Sequence, residues 1–328
     1  MFDSPIIWFD RRPIPELAEL APPEATIEWP ESDDPLDGID RADGVIAGAS
    51  IIYDRDVFSL ATKLRVLVRA GIGFDNIVLS DATAAGVAAC NTPDGPTIST
   101  AEHALALIFS VTKGLKQSEN RLQRQEGNYG PNHNALELDG ARLTLIGLGR
   151  IGSRVAKVAA AAGIHVTAYD PFESDERFEA LGVRRSTDLG EAVSEAQIVS
   201  IHAPLSSKTR HLVDSNLIGG MCDGVFIVNT ARGGLIDDNA LLDALDSGKV
   251  AGAGLDVTEP EPLPSGHALL EHESVLVTPH VASATTAGRN RIFTMALDQV
   301  VAALAGIKPS HILNPEVWPG RNSNNEDA

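Results

Sequence analysis

Residues 142–152 read Arg-Leu-Thr-Leu-Ile-Gly-Leu-Gly-Arg-Ile-Gly, and this stretch decides the fold. Its first five residues form a short, largely apolar run typical of a buried strand, and a helical pattern follows over residues 151–162. Gly147, Gly149 and Gly152 have the Gly-x-Gly-x-x-Gly spacing. The first glycine permits a tight turn, the second lets backbone approach a pyrophosphate, and the third allows close helix–strand packing. The stretch therefore predicts a dinucleotide-binding turn, with free N–H groups of the helix N-terminus facing the phosphates.

An acidic residue follows at the place where such a unit needs one. Asp170 ends the next strand-like stretch, 18 residues after Gly152. A carboxylate there binds the adenosine ribose hydroxyls and repels a 2′-phosphate, so NAD is favoured over NADP as the cofactor. The alternative interpretation is that the three glycines form an ordinary loop and that Asp170 caps the next helix.

Short apolar runs alternate with helical stretches on both sides of this unit. Such alternation predicts parallel strands with crossover helices, and six strands from residue 142 onward match a complete doubly wound nucleotide-binding sheet. The expected fold class is α/β, with two Rossmann-like doubly wound parallel-sheet domains. One long helical stretch is expected over residues 97–126 and another over 284–305. The predicted strands cover residues 6–9, 26–29, 44–48, 65–69, 87–90, 142–147, 165–170, 197–202, 224–229, 250–257 and 274–279.

Length and charge narrow the class of protein. A chain of 328 residues has room for two domains. It has 26 Lys and Arg against 45 Asp and Glu, a formal net charge of −19, which would repel nucleic acid and anionic membranes. Neither is therefore an expected partner. A well-solvated surface and a salt-rich habitat both explain such acidity, and the composition does not separate them.

Cysteine content and the terminal segments add three expectations. Cys90 and Cys222 lie far apart in apolar stretches, which predicts two buried, reduced thiols and excludes a disulfide framework or a cysteine-ligated metal site. No apolar run is long enough to span a membrane, and the N-terminal residues lack a signal-peptide pattern, so a cytoplasmic location is expected. Residues 319–328 contain almost no apolar side chain and are predicted to be disordered.

Three charged side chains follow predicted strands in the second half of the chain. Arg232 lies in Asn-Thr-Ala-Arg-Gly-Gly, Glu261 in Asp-Val-Thr-Glu-Pro-Glu-Pro, and His280 in Thr-Pro-His. The carboxyl ends of strands in an open α/β sheet face the ligand crevice, so we expect these side chains to converge near the nicotinamide. Each alone has an ordinary explanation: a surface cation, an exposed loop carboxylate and a surface or core histidine.

Together the three side chains fit hydride exchange at a carbinol carbon. A proton must leave or join the oxygen as the hydride moves, and imidazole, which titrates near neutrality, suits His280 to that role. A carboxylate beside the ring favours its protonated form and fixes its orientation, which is the role expected of Glu261. Arg232 can bind a substrate carboxylate in a bidentate manner and polarise the adjacent carbonyl.

In their order and spacing, these motifs make the chain resemble the D-isomer-specific 2-hydroxyacid dehydrogenase family over about residues 40–315. The resemblance implies that Arg232, Glu261 and His280 are the catalytic trio and that Gly71, Ile72 and Gly73 hold the substrate carboxylate through backbone N–H groups. The shared segments are residues 69–77, 100–107, 147–152, 201–205, 229–234, 254–262 and 278–280.

The family resemblance also implies an arrangement of domains and an assembly. Residues 1–99 and 288–318 would form a discontinuous, flavodoxin-like substrate domain, with an NAD-binding Rossmann domain inserted at 100–287. A homodimer is expected, with residues 100–140 as the dimer-forming arm. Besides the glycine turn, Asp170 and Arg232, the residues expected to contact the cofactor are Thr100, Arg150, Ile151, His202, Ala203, Pro204, Thr230, Ala231, Asp256 and Ala282.

The loop at residues 46–52 bears on the substrate. It is uncharged, whereas the family's phosphoglycerate dehydrogenases carry a basic residue there, so we expect a small unphosphorylated 2-keto acid such as hydroxypyruvate or glyoxylate. Arg55 and Arg69 are near in sequence, which leaves 3-phosphoglycerate oxidation as an alternative. An NAD-sensing, corepressor-like binding protein is the alternative of another class. Formate oxidation is disfavoured by Glu261, because that reaction releases no hydroxyl proton.

Overall fold

The computed structural model describes residues 4–13, 21–131 and 133–318, which form two α/β units. Unit 1 consists of residues 1–96 and 285–328, and unit 2 of residues 97–284. Both are built on parallel sheets with helices on the two faces, which confirms the predicted fold class. The assignment of substrate binding to unit 1 stays a prediction. The tail predicted to be disordered, residues 319–328, lies outside the described residues.

Strands and helices alternate along the chain. The strands are β1 (Ile6–Phe9), β2 (Thr26–Glu28), β3 (Gly44–Ala47), β4 (Val66–Arg69), β5 (Ala88–Asn91), β6 (Arg142–Ile146), β7 (His165–Tyr169), β8 (Arg184–Ser186), β9 (Ile198–Ile201), β10 (Val225–Asn229), β11 (Val250–Leu255) and β12 (Val275–Val277). The α-helices are α1 (Arg55–Leu60), α2 (Leu79–Ala84), α3 (Thr97–Thr112), α4 (Leu115–Gln123), α5 (Arg150–Ala161), α6 (Asp175–Leu181), α7 (Leu189–Ser194), α8 (Ser215–Gly220), α9 (Asp238–Asp246), α10 (Ala268–Glu271) and α11 (Thr286–Leu304).

Unit 1 is a parallel sheet in the order β2-β1-β3-β4-β5. One face packs on α11 through Ala296, Leu297 and Val300, and the other face is covered by the segment around α1. The outer edge of β5 is closed by residues from far along the chain. The backbone N–H of Leu313 donates to the carbonyl of Ala89 at 2.7 Å, so this edge is not left unpaired.

Unit 2 is a seven-stranded parallel sheet in the order β12-β11-β10-β9-β6-β7-β8. Apolar side chains of α3 and α5 cover one face, and those of α8 and α9 cover the other. The strand order reverses between β6 and β9. At this switch point the crossovers leave to opposite faces, which opens a crevice at the carboxyl ends of the two strands.

Two details of unit 2 differ from the sequence prediction. The expected single helical stretch over residues 97–126 is two helices, because Gly114 adopts a left-handed conformation with φ of 57° and ends the first one. The sheet also has a seventh strand, β8, which the prediction missed. Its residues Arg184, Arg185 and Ser186 carry no apolar run, because an edge strand packs less of its surface than a central one.

Both cysteines are free thiols, but they differ in burial. Cys90 is buried in unit 1, and burial raises its pKa to about 12. Cys222 is only half-buried, which corrects the expectation of two buried thiols. Within the described residues, no helix is long and apolar enough to cross a membrane. The same part of the chain contains no cluster of His, Cys, Asp and Glu that could hold a metal ion.

Candidate active site

The glycine turn lies at the switch point of the unit 2 sheet. Gly147 follows β6 with φ of 102°, a conformation that favours glycine, and a Cβ there would lie 2.8 Å from the carbonyl oxygen of His202. A Cβ at Gly152 would overlap the carbonyl oxygen of Gly147. Helix α5 begins at Arg150, and its N-cap, Gly149, has no side chain to bond the first N–H groups. The turn therefore places the helix N-terminus, with its partial positive charge, at the crevice, where an anion can bind.

Asp170 braces the turn from the end of the neighbouring strand. One carboxylate oxygen accepts the N–H of Leu148 at 2.8 Å, and the other accepts the N–H of Phe172 at 3.0 Å. Asp170 does not cap the next helix, as the alternative interpretation would require, because Ser174 is the N-cap of α6. Each oxygen of Asp170 keeps a lone pair, so the carboxylate can still accept from ribose hydroxyls.

Most of the other residues expected to contact the cofactor follow strands, and two lie in helices. The hydroxyl of Thr230 is buried and has no hydrogen-bond partner among the described residues, as expected for a group that bonds a ligand. The glycine turn and this unsatisfied hydroxyl together fit a bound dinucleotide. Of the remaining residues, Ala203 and Pro204 follow β9, Ala231 and Arg232 follow β10, Asp256 follows β11, Ala282 follows β12, Ile151 lies in the first turn of α5, and Thr100 is buried in α3.

Glu261 and His280 are in direct contact. The Nδ1 of His280 lies 2.5 Å from Oε1 of Glu261, and both side chains are about one-third exposed, at 35% and 38%. An ionised carboxylate can only accept, so Nδ1 carries the proton of this bond and Nε2 is left for another partner. The pair matches the predicted arrangement of a carboxylate that orients an imidazole.

The backbone that carries His280 is unusual. His280 has φ of 52°, a left-handed conformation that costs a non-glycine residue about 1–3 kcal/mol. Its N–H donates to the carbonyl of Asp256 at 2.8 Å. The Asp256 carboxylate accepts the N–H of Val281 and the N–H of Ala282, each at 2.9 Å. Asp256 therefore holds the His280 backbone in place from both sides.

Asp256 is enclosed, and its charge is stabilised by its neighbours. Its side chain is 0% exposed, and it also accepts the hydroxyl of Thr278 at 2.6 Å. Burial raises the pKa of Asp256, but its hydrogen bonds with His103, Thr278 and the two backbone N–H groups outweigh burial, so the pKa lies below its ordinary value. The Asp256 carboxylate thus positions the backbone next to His280 and the hydroxyl of Thr278 through these hydrogen bonds. The sequence predicts for Asp256 a cofactor contact and not this positioning role.

His103 is a residue that the sequence prediction did not single out. Its Nε2 lies 2.9 Å from the Thr278 hydroxyl and 3.4 Å from Asp256. It belongs to the segment 100–107 that carries the family resemblance, but nothing in a helical stretch indicates which side chain reaches a strand end. His103, Thr278 and Asp256 form one polar cluster next to His280, in which Asp256 is buried and the other two side chains are half-buried.

Two further side chains border this edge of the sheet. Arg232 is half-buried, and its Nη1 donates to the carbonyl of Ala231 at 2.7 Å. His202 lies beside the glycine turn, with Nε2 3.0 Å from the hydroxyl of Ser200. Burial lowers the pKa of His202 to about 4, so this ring is neutral at physiological pH.

The predicted carboxylate-binding segment lies in unit 1, directly after β4. The N–H of Gly71 donates to the carbonyl of Arg69 at 2.9 Å, so that donor is already engaged. The carbonyl of Ile72 accepts the side-chain amide of Asn91 at 2.7 Å. Among the described residues, neither Ile72 nor Gly73 donates its N–H to a backbone oxygen. Two of the three predicted donors are therefore available.

Comparison with known proteins identifies the same group of enzymes. Residues 105–282, more than half of the chain, match the model described as "D-isomer specific 2-hydroxyacid dehydrogenase, NAD binding domain". This match confirms the predicted family and the prediction of NAD as the cofactor. The D-3-phosphoglycerate dehydrogenase of Bacillus subtilis is 37% identical over 281 residues, which is 86% of this chain and 53% of that protein. The chain thus spans about half the length of the curated relatives it matches.

Solved structures share the fold over nearly their whole length. The TT0316 protein of Thermus thermophilus superposes with a TM-score of 0.85 and 31% identity, covering 94% of this chain and 99% of that one. The D-lactate dehydrogenase of Aquifex aeolicus, solved with NAD and lactic acid, has a TM-score of 0.80 and 27% identity, covering 95% and 97%.

Proposed function

Because the chain belongs to the D-isomer-specific 2-hydroxyacid dehydrogenase family, we propose that it transfers a hydride between NAD(H) and C2 of a 2-keto or D-2-hydroxy acid. The contact between Glu261 and His280 carries the proposal. It provides an oriented imidazole at the end of β12, in the same sheet as the dinucleotide-binding turn. Hydride transfer to a carbonyl needs both a cofactor site and a proton donor.

His280 is the proton donor in this proposal. Glu261 accepts from Nδ1, so Nε2 is the atom that gives a proton to the substrate oxygen during reduction and takes it during oxidation. Glu261 also balances the positive charge of the ring when it is protonated. The bound nicotinamide supplies or accepts the hydride. Arg232 would bind the substrate carboxylate or polarise the carbonyl from the end of the neighbouring motif.

The cofactor would be held by residues of unit 2. The N–H groups at the start of α5 and the glycine turn would bind the pyrophosphate, because a helix N-terminus carries free donors and a partial positive charge. Asp170 would accept from the adenosine ribose hydroxyls and disfavour a 2′-phosphate. The buried, unsatisfied hydroxyl of Thr230 would gain a partner. In unit 1, the N–H groups of Ile72 and Gly73 would bind the substrate carboxylate.

Two substrate classes remain in competition. The uncharged loop at residues 46–52 supports hydroxypyruvate or glyoxylate. The curated relatives named D-3-phosphoglycerate dehydrogenase support the phosphorylated acid instead. The first test is NADH consumption by the purified protein with glyoxylate, hydroxypyruvate, phosphohydroxypyruvate and pyruvate, each repeated with NADPH. Turnover with NADH is expected; silence with every acid while NADH still binds would contradict the enzyme proposal and favour a binding protein.

A matched pair of variants tests the role of the Glu261–His280 contact. Glu261→Gln should lower turnover about 100-fold, the low end of what a positioned acid–base group contributes. Glu259→Gln is the control, since Glu259 lies in the same loop but pairs with Arg210 at 2.8 Å on the exposed surface. Such surface pairs contribute about 0–1 kcal/mol. Equal turnover of the two variants would contradict the assignment.

We also propose that the protein is a homodimer joined through residues 100–140. The support in this structure is α4, which buries none of its own side chains and exposes Leu115 and Leu122 by 55% and 62%. Leu115 and Leu122 are two turns apart and so share one face of α4, and an exposed apolar face supports an interface there. Light scattering on Leu122→Lys should give a monomer where the wild type gives a dimer.

A further inference from the structure

The sheet of unit 1 has a switch point of its own. Its strand order, β2-β1-β3-β4-β5, reverses between β1 and β3. Open parallel sheets of this order bind ligands at the carboxyl ends of the two strands beside the reversal. Asp10 and Arg11 directly follow β1, and Gly48 directly follows β3. Any ligand in this crevice therefore meets these three residues first.

Arg11 places a positive charge over the switch point. A Cβ at Gly48 would overlap the Arg11 guanidinium, so this group lies where a side chain from the β3 loop would otherwise begin. Arg11 is 68% exposed, and within the described ranges its ion pair is the 3.4 Å contact with Asp10. Asp10 is itself held by the N–H of Gly48 at 2.5 Å. The guanidinium thus remains accessible to an anion from solvent.

Two more polar side chains face the same region. Arg69 ends β4, is buried, and lies against Gly71, where a Cβ would be 2.6 Å from Nη1. The hydroxyl of Tyr53 is fully buried and has no hydrogen-bond partner in the described part of the chain. Burial and the charge of Asp10 raise the pKa of Tyr53, while Arg69 and Arg11 act in the opposite direction, so these charges lie within electrostatic range of the hydroxyl. An unsatisfied buried hydroxyl within electrostatic range of two guanidinium groups and one carboxylate, itself bonded to the N–H of Gly48, fits an anion-binding region.

We propose that Arg11 binds an anionic group, phosphate or carboxylate, on the far end of the substrate while Ile72 and Gly73 hold its C1 carboxylate. This inference rests on the proposed function. The strands β1 and β4 are separated by β3, so their ends lie about 10 Å apart, a gap that the long Arg11 side chain shortens. Glyoxylate is too short to reach both places. The preferred substrate is therefore a 2-keto acid with a second negative charge. The loop at 46–52 has no positive side chain to bind that charge, and Arg11 supplies one instead.

Arg11→Gln tests the proposal, with Arg12→Gln as the matched control. Arg12 is the next residue and carries the same charge, but its guanidinium lies 5.3 Å over the ring of Trp29. The measurement is kcat/KM with NADH for phosphohydroxypyruvate, oxaloacetate and hydroxypyruvate. In Arg11→Gln, the ratio of either doubly charged acid to hydroxypyruvate should fall about 10- to 100-fold, as expected for losing a hydrogen bond to a charged group. Arg12→Gln should leave this ratio unchanged.

If the ratio falls for phosphohydroxypyruvate, the anion that Arg11 binds is phosphate. If it falls for oxaloacetate, the anion is carboxylate. An unchanged ratio in Arg11→Gln, or an equal fall in both variants, would overturn the proposal. Calorimetric titration of D-3-phosphoglycerate, oxaloacetate and D-glycerate, without turnover, separates this inference from the enzyme proposal. If no keto acid is reduced, the proposed function fails, but Arg11 is still supported when its variant weakens binding of phosphoglycerate or oxaloacetate and not of glycerate. Equal binding by wild type and Arg11→Gln overturns it.

Discussion

Replacing Asp256 with Asn should disable the site while leaving the shape of the side chain intact. The carboxylate accepts from Val281, Ala282 and Thr278, and an amide can satisfy only one side of this arrangement. Its NH2 group must face a donor, either the N–H of Ala282 or the donors opposite. In either orientation at least one charge-assisted hydrogen bond is lost, and the N–H of Ala282 or of Val281 is left without an acceptor.

The magnitude follows from these two losses. A hydrogen bond to a charged group contributes about 1.5–3 kcal/mol, and a buried unsatisfied donor costs about 1–3 kcal/mol. Their sum, roughly 2.5–6 kcal/mol, is about twice the ~1–3 kcal/mol that the left-handed conformation of His280 costs. The backbone around His280 should therefore relax, and its ring should leave Glu261. Each 1.36 kcal/mol is about tenfold in rate, so turnover should fall at least ~100-fold.

The assay combines steady-state kinetics with thermal unfolding. Unit 2 spans residues 97–284, and for a domain of that size 1 kcal/mol corresponds to about 2–4 °C, so Tm should fall by roughly 5–25 °C. Asp238→Asn is the control, because burial raises the pKa of Asp238 and one of its oxygens has no hydrogen-bond partner among the described residues. That variant should keep or raise Tm. If Asp256→Asn keeps wild-type turnover and Tm, the positioning argument is wrong.

Three further predictions concern other parts of the molecule. Gly152→Ala should weaken NADH binding at least ~10-fold by calorimetry, since its Cβ overlaps the carbonyl of Gly147, while Gly219→Ala, with open space around it, should not. The pKa of His202 is about 4 in the folded protein against an ordinary 6.5, so its contribution to the free energy of unfolding is complete above pH 6.5 and is lost as pH falls toward 4. In chemical unfolding, the wild type should lose about 2–3 kcal/mol over this pH range, and His202→Gln should not. Cys90, whose pKa burial raises to about 12, should resist iodoacetamide at pH 8 until the protein is unfolded, and rapid labelling of the native protein would contradict its burial.

The sequence predicted best what depends on local pattern. The Gly-x-Gly-x-x-Gly turn was recognisable because the strand, the turn and the helix are all local. The meeting of Glu261 and His280 was predictable because parallel strands place their carboxyl ends at one edge. The edge strand β8 and the helix break at Gly114 were not, because a short polar strand and a glycine within a helical pattern are weak signals.

Contacts between distant segments were beyond the sequence pattern. The sequence predicts that Asp256 lies at a strand end. Its hydrogen bonds with Val281 and Ala282 depend on the left-handed conformation of His280, which no local sequence pattern indicates. The sequence pointed to Arg55 as a nearby cation, yet Arg55 starts α1 and lies 4.0 Å from Asp81 on the surface. Arg11 and Gly48 are 37 residues apart in the chain, and only the strand order shows that both lie at the switch point.

The closing of β5 by residues near Leu313 has a consequence for biosynthesis. The 188 residues of unit 2, 97–284, separate the two parts of unit 1 in the chain. On the ribosome, β1 to β5 emerge before unit 2, but one face of their sheet stays uncovered and the edge of β5 stays unpaired until α11 and the segment that bonds Ala89 have been made. Unit 2 is contiguous and can fold in the meantime. The strands of unit 1 are therefore made before unit 2 but become native after it, and their sheet is exposed to chaperones and proteases in the interval.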